Sequence, residues 1–166
     1  DFNINIGKTH SETLLPLVDE LLKFSNCKLS DIDLFACCVG PGSFTGIRIG
    51  ISTVKGFALA LNKPTISVSS LESLAHNTTP FKEIVCSVLD SKNNNVYAAL
   101  FKNSDSTEMI GDYITSSVDD LIVQIKNLNQ EVLFVGNGAV SFKDLFKEKL
   151  GNLAHFASTH LNEQSP

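Results

Sequence analysis

The stretch Val39-Gly-Pro-Gly-Ser-Phe-Thr-Gly-Ile-Arg-Ile-Gly-Ile-Ser-Thr-Val-Lys-Gly-Phe-Ala-Leu-Ala-Leu61 reads as the end of an apolar strand, a glycine-rich bend and a helix. Within that helix Ile47, Ile51, Val54, Ala58 and Leu61 follow the three-and-four spacing of one buried face, while Gly46, Gly50, Thr53, Gly56 and Ala60 repeat on a neighbouring face of small side chains. A glycine inside a helix costs about 1 kcal/mol relative to alanine, so this repetition needs a packing or functional reason. The bend stands where backbone N–H groups cradle an anion in phosphate loops. However, Ile47-Arg48 follows the last glycine where a Walker loop needs Lys-Ser/Thr, and Thr45 stands where a dinucleotide fingerprint needs glycine. Gly40, Pro41, Gly42, Ser43 and Gly46 are therefore read as a structural strand-to-helix junction, and Arg48 as a solvated or partner-facing charge.

Upstream, Phe2-Asn-Ile-Asn-Ile6 alternates as a strand does, and Thr9-His10-Ser11-Glu12 has the spacing of a capping box. The helix it opens carries Leu14, Leu15, Val18, Leu21 and Leu22 as its apolar stripe, includes Pro16, and fades near Asn26. Leu34 to Val39 is apolar without alternation, which predicts a central strand covered on both faces. Downstream, a strand from Thr65 to Val68 and a short helix entered through Ser69 or Ser70 complete a βαβ unit with a right-handed crossover. Caps and breakers in Asn77-Thr-Thr-Pro80 predict a lobe boundary that divides 1–78 from 79–166. The second lobe should hold a hairpin, Ile84 to Leu89 and Val96 to Phe101, turned through Asp90-Ser-Lys-Asn-Asn-Asn95. After it come a strand from Met109 to Ile114, a helix from Ser117 to Leu128, a strand from Val132 to Val135 and a helix from Ser141 to Leu150. Leu153 to Pro166 carries no clear signal.

With 166 residues, 43% of them apolar, the chain can build a core without staples. A net charge of −5 and a pI near 5.3 oppose non-specific nucleic-acid binding by this chain alone. Cys27, Cys37, Cys38 and Cys86 lack the paired spacing of a zinc or redox motif and are read as buried reduced thiols. His10, His76, His155 and His160 are scattered, Ser43, Ser69 and Ser70 lie in no Gly-x-Ser-x-Gly, and Phe44, Phe57 and Phe81 read as core. No apolar run reaches about 20 residues and no signal-like segment is present, so a soluble cytoplasmic protein without membrane partners is expected. Met109 is the sole methionine, and elements are expected to be missing from both ends.

The run Gly40-Pro-Gly-Ser-Phe-Thr-Gly-Ile-Arg-Ile-Gly50, with Lys55-Gly-Phe-Ala-Leu-Ala60, Ile66-Ser-Val-Ser-Ser-Leu-Glu-Ser-Leu-Ala75 and His10-Ser-Glu-Thr-Leu-Leu-Pro16, closely resembles the bacterial TsaB (YeaZ) family. The resemblance is strong from Gly7 to Ala75 and looser from Ile84 to Leu150. It implies an α/β, actin-like ASKHA fold of two RNase H-like lobes, truncated at both ends in this chain. It also implies a non-catalytic partner of TsaD, working with the ATPase TsaE, in threonylcarbamoyl transfer to the adenosine beside the anticodon of ANN-decoding tRNAs. Cofactors are then expected on the partners, ATP and metal among them, and none on this chain; tRNA is met only through the complex.

Two segments can be compared with the catalytic paralogue of that family. Its His-x-Glu-Gly-His-type metal segment is matched here by Ser70-Leu-Glu-Ser-Leu74, whose serines and leucines do not replace imidazole. Its glycine-rich phosphate hairpin is matched by Asp90-Ser-Lys-Asn-Asn-Asn95, which has no glycine for close approach. In the family the first two helices dock against those of TsaD or of a second TsaB copy. That places Leu14, Val18 and Leu22, with Ile47, Gly50, Ile51 and Val54, at a partner interface, though the same stripes also mark ordinary core. The alternative is an ATP- or metal-dependent ASKHA enzyme in its own right, a phosphotransferase or hydrolase, as a glycine bend before a helix would suggest.

Overall fold

The computed structural model describes residues 10–78, 84–103 and 106–162. Two compact units emerge, residues 1–68 and 69–165. The first holds α1 (His10–Phe24), β1 (Phe35–Gly40), α2 (Phe44–Leu61) and β2 (Thr65–Ser69), the last residue of β2 opening the second unit. The second holds α3 (Ser70–His76), β3 (Ile84–Asp90), β4 (Asn95–Asn103), β5 (Thr107–Ser117), α4 (Val118–Leu128), β6 (Val132–Val135), α5 (Asn137–Ser141), α6 (Lys143–Leu150) and β7 (Ala154–Phe156).

In the first unit β1 and β2 form a two-stranded sheet, and α2 packs on β1. Phe35 meets Phe57 of α2 with ring centroids 5.8 Å apart. α2 ends where Asn62 takes the left-handed conformation, φ +52°, that asparagine tolerates. β1 is not covered on both faces by the described residues: Phe35 is buried, whereas Ala36, Cys38 and Val39 are exposed. The reading of four buried thiols is corrected accordingly. Only Cys86 is buried; Cys37 is half-buried beside α2, and Cys27 and Cys38 are exposed. The strand predicted over 2–6 and the capping residue Thr9 lie outside the described residues.

The second unit is a five-stranded sheet in the order β5-β4-β3-β6-β7. β3 pairs antiparallel with β4 and parallel with β6, and β6 pairs parallel with β7. The central strand is buried on both faces, and its side chains alternate between two cores. Cys86 and Val88 join Leu121 and Ile125 of α4 and Phe146 of α6 on one side. Val85 joins Ala99, Phe101 and Val135 beneath Leu71 and Leu74 of α3 on the other. Burying each of those two leucines stabilises the unit by about 2 kcal/mol, which explains why α3 belongs with this sheet. The compact units therefore part before α3 rather than after it, at Val68/Ser69 instead of the expected 78/79. Ser87 places a buried hydroxyl among these apolar side chains, with no hydrogen-bond partner among the described residues.

Where the chain turns out of β3, Lys92, Asn93 and Asn94 take successive positive φ values of 70°, 52° and 58°. Asparagine accepts this conformation better than most residues because its short side chain hydrogen-bonds locally. The turn also holds α4, whose first N–H, from Val118, donates to the Asn94 carbonyl at 2.9 Å. Ser117 caps the same helix by accepting from Asp120 N–H at 3.1 Å. β7 was not expected from the sequence. It is three residues long, too short for its alternation to register against the surrounding loops.

Gly136 follows β6 at φ +106°, and a Cβ there would lie 2.4 Å from the Val88 carbonyl oxygen. Gly136→Ala is expected to destabilise the protein by about 3 kcal/mol or more, combining an unfavourable φ with a backbone clash; urea unfolding measures it. The thiols offer a second test. Burial raises the Cys37 pKa, with a smaller contribution from Cys38, and burial pushes Cys86 far above the ordinary thiol range. Alkylation at mildly alkaline pH should label Cys27 and Cys38 first, Cys37 more slowly, and Cys86 only on unfolding, as peptide mass spectrometry will read. Because Cys86 stays neutral when folded, its contribution to stability is intact below the unfolded thiol pKa and is lost as pH rises above it.

Candidate functional site

Two backbone N–H groups at the glycine-rich bend, those of Gly46 and Ile47, are bonded to Ser43. Gly40 is buried at φ +103°, and a Cβ on it would lie 2.8 Å from Ile47 Cδ1, so Ile47 folds back over the bend. Ser43 caps α2, its Oγ accepting from Gly46 N–H at 3.3 Å, while Ile47 N–H donates to the Ser43 carbonyl at 2.9 Å. Gly50 faces β1, with Cys37 Sγ 3.6 Å from the position of its absent Cβ, so one member of the small-residue face serves close helix–strand approach. Gly56 faces open space. Phe44, read as core, is 73% exposed, and the Arg48 guanidinium lies 5.1 Å from its ring centroid. Phe44 stands at the first turn of the helix, one residue past the cap.

The seven residues assigned to a partner interface, Leu14, Val18, Leu22, Ile47, Gly50, Ile51 and Val54, are all half-buried. Ile47 and Gly50 are turned to the bend and strand of their own unit. On α1, Leu15, Val18 and Leu22 join Leu29 and Phe57 in lining an apolar cleft of about 390 Å³. At its rim Lys23 is paired with Asp19 at 2.6 Å and Glu20 at 3.1 Å, and its pKa is raised, first by the hydrogen bond to Asp19. α2 is long and apolar enough to cross a membrane by composition, yet it packs against β1 and only Ala58 of its residues is fully buried. Leu59 is 86% exposed, and on α1 Phe24 is 84% and Leu15 54% exposed. Sequence reasoning did not single out Leu59, Phe24 or Phe44 as surface, because periodicity marks an apolar stripe without saying what covers it.

In α/β sheets ligands enter at the carboxyl ends of parallel strands. Here those ends, of β3 and β6, are occupied by the chain's own amides. Asp90 N–H donates to Asn137 Oδ1 at 2.9 Å, and Gly136 N–H donates to Asn162 Oδ1 at 2.9 Å. Asp90 Oδ1 in turn accepts from Lys92 N–H at 2.8 Å. Within Ser70-Leu-Glu-Ser-Leu74, Leu71 and Leu74 are buried in the core, and Glu72 accepts from the Tyr113 hydroxyl at 3.3 Å. Among the described residues no group of three or more His, Cys, Asp or Glu side chains is placed to hold a metal ion.

Residues 5–166 match the family described as TsaD: tRNA N6-adenosine threonylcarbamoyltransferase. The tRNA threonylcarbamoyladenosine biosynthesis protein TsaB of Bacillus subtilis (strain 168) is 32% identical over 148 residues, covering 88% of this chain and 64% of its own length. The TsaB protein of Escherichia coli (strain K12) is 32% identical over 145 residues, covering 85% of this chain and 63% of its own length. The chain belongs to this family, in its TsaB (YeaZ) group. A crystal structure of an uncharacterized protein with similarity to peptidase YEAZ from Pseudomonas aeruginosa superimposes with a TM-score of 0.75 at 27% identity, covering 92% of this chain and 70% of that one. The α/β architecture is thus of the actin-like ASKHA type shared by TsaB relatives. The chain spans less than two thirds of the length of these two TsaB sequences.

Removing the cap at the junction should cost stability alone. Ser43→Ala is expected to lower unfolding free energy by about 1 kcal/mol, read by urea denaturation, and to leave any nucleotide affinity measured by calorimetry unchanged.

Proposed function

We propose that this protein is a non-catalytic partner and activator of TsaD in transferring a threonylcarbamoyl group to the adenosine beside the anticodon of ANN-decoding tRNAs. The observation that carries the reading is the use made of the segment Ser70–Leu74. In a chain of this family, the positions that correspond to the catalytic paralogue's metal segment hold leucines committed to the core and a glutamate bonded to a tyrosine. The self-capped carboxyl ends of β3 and β6 support the same conclusion, since the backbone N–H groups of Asp90 and Gly136 are already taken. ATP and metal then belong to the partners, TsaD and TsaE, and tRNA is engaged through the complex. A cytoplasmic location accompanies that role.

The partner surface in this reading is formed by α1 and α2. Leu14, Val18 and Leu22, with Ile51 and Val54, supply its half-buried floor, and the exposed Leu15 lies beside them at the mouth of the apolar cleft. The occupant is TsaD, or a second copy of this chain when TsaD is absent.

Full-length protein is expected to co-elute with its cognate TsaD. Val54→Asp should abolish the complex, and Leu15→Asp, at an exposed position that folding tolerates, should weaken it by about thirtyfold or more, as expected for a central apolar contact. Failure of the wild-type pair to co-elute under any nucleotide condition would overturn the reading. So would calorimetry showing tight, stoichiometric ATP and divalent-metal binding with turnover by this protein alone.

A further inference from the structure

The five-stranded sheet of the second unit has two outer strands, β5 and β7, and they differ in length. β7 has 3 residues, too few to offer another strand a row of backbone groups. β5 has 11, and among the described residues no strand pairs with its outer side. Its middle, from Glu108 to Tyr113, is exposed, and Met109, Ile110 and Tyr113 are 39%, 37% and 50% accessible. A long, apolar sheet edge of this kind is a template on which another chain adds a strand.

β5 is not regular, however. Leu100 of β4 faces Ile110 and Ala98 faces Ile114, so two steps along β4 are met by four along β5. Gly111, Asp112 and Tyr113 therefore stand against Ala99 alone, as a bulge. Gly111 takes φ +73°, and a Cβ on it would meet nothing within 4 Å, so glycine serves the left-handed conformation there and not a close approach. Asp112 is exposed and sets a carboxylate in the middle of the irregularity.

We propose that the Gly111–Tyr113 bulge is a guard that keeps β5 from pairing with the same strand of a second copy of this chain. A bulge increases the local twist and interrupts the regular spacing of N–H and C=O groups that an added strand would need. The position of the charge points to self-pairing as the association held off. Residue 112 is the midpoint of Thr107–Ser117, so two copies pairing antiparallel about a two-fold axis with full overlap would set one Asp112 against the other. Like charges directly opposite each other destabilise such a pair. The inference is independent of the TsaD reading, since α1 and α2 belong to the first unit.

The test measures self-association of full-length protein by analytical ultracentrifugation, with wild type as the baseline for any association through its other surfaces. Deleting Gly111 and Asp112 restores a regular register: Ile114 stays opposite Ala98, and Tyr113 comes opposite Ala99. Ala99 packs with Leu71 and Leu74 of α3, the helix whose Glu72 already accepts from the Tyr113 hydroxyl at 3.3 Å, so the deletion leaves Tyr113 on its present face. Met109-Ile110-Tyr113-Ile114-Thr115 then runs without a charge, the composition of a self-pairing strand. The deletion variant should associate about tenfold more tightly than wild type or more, and adding Met109→Lys at the exposed edge should return it to the wild-type constant. Asp112→Val, which keeps the chain length, should associate about threefold more tightly. Unchanged association of a folded deletion variant overturns the proposal. Tighter association that Met109→Lys leaves in place overturns it as well, because it then runs through another surface. If the deletion variant does not fold, unchanged association of Asp112→Val overturns it instead.

Discussion

The carbonyl of Val88, in the central strand, lies directly beneath the turn that leaves β6, at a distance only glycine permits: a Cβ on Gly136 would stand 2.4 Å from that oxygen, and one on Gly138 would stand 3.0 Å from it. This approach lets α5 begin immediately after β6 and carry α6 back over the sheet, where Phe146 and Leu150 complete the core shared with α4. It also leaves the Gly136 N–H pointing where Asn162 can receive it. Packing on one face of the sheet and the closing of its carboxyl edge thus depend on one backbone contact.

That edge bears on function. The carboxyl ends of two neighbouring parallel strands are where an α/β protein ordinarily admits a ligand, because backbone N–H groups there lack partners. In this chain asparagine side chains from α5 and from the segment after β7 supply the acceptors. The leucines of α3 are spent in the same way, filling the opposite core instead of yielding positions for metal ligands. The N–H groups of Asp90 and Gly136 are thereby satisfied from within the chain.

The surfaces differ between the two units. In the first, α2 is strongly apolar yet has one fully buried residue, and α1 adds a cleft lined by leucine, valine and phenylalanine. Apolar area of this kind gains free energy when it is covered. In the second unit two cores take up the apolar side chains of the central strands, while Met109, Ile110 and Tyr113 of β5 stay exposed.

Local chemistry was legible in the sequence. Strand and helix periods placed β2, β3, β4, β6, α2 and α4 within a few residues, and the starts of α3 at Ser69 or Ser70 and of α4 at Ser117 were read from hydroxyl residues, because a hydroxyl that satisfies a free N–H acts within one turn. The glycine spacing after β1 excluded the named phosphate loops, and the family resemblance rested on that same run. Coverage was not legible. The sequence could not show that Cys38 and Phe44 are exposed, that α3 belongs to the second unit, that Ile47 and Gly50 face their own strand, or that β7 exists. Hydrophobic period reports which side chains share a face, and hydrogen-bonding preferences report where an element starts. Which face meets which neighbour depends on contacts between residues far apart in the chain, such as Gly136 with Val88 and Leu74 with Val135, and only the tertiary structure brings those together.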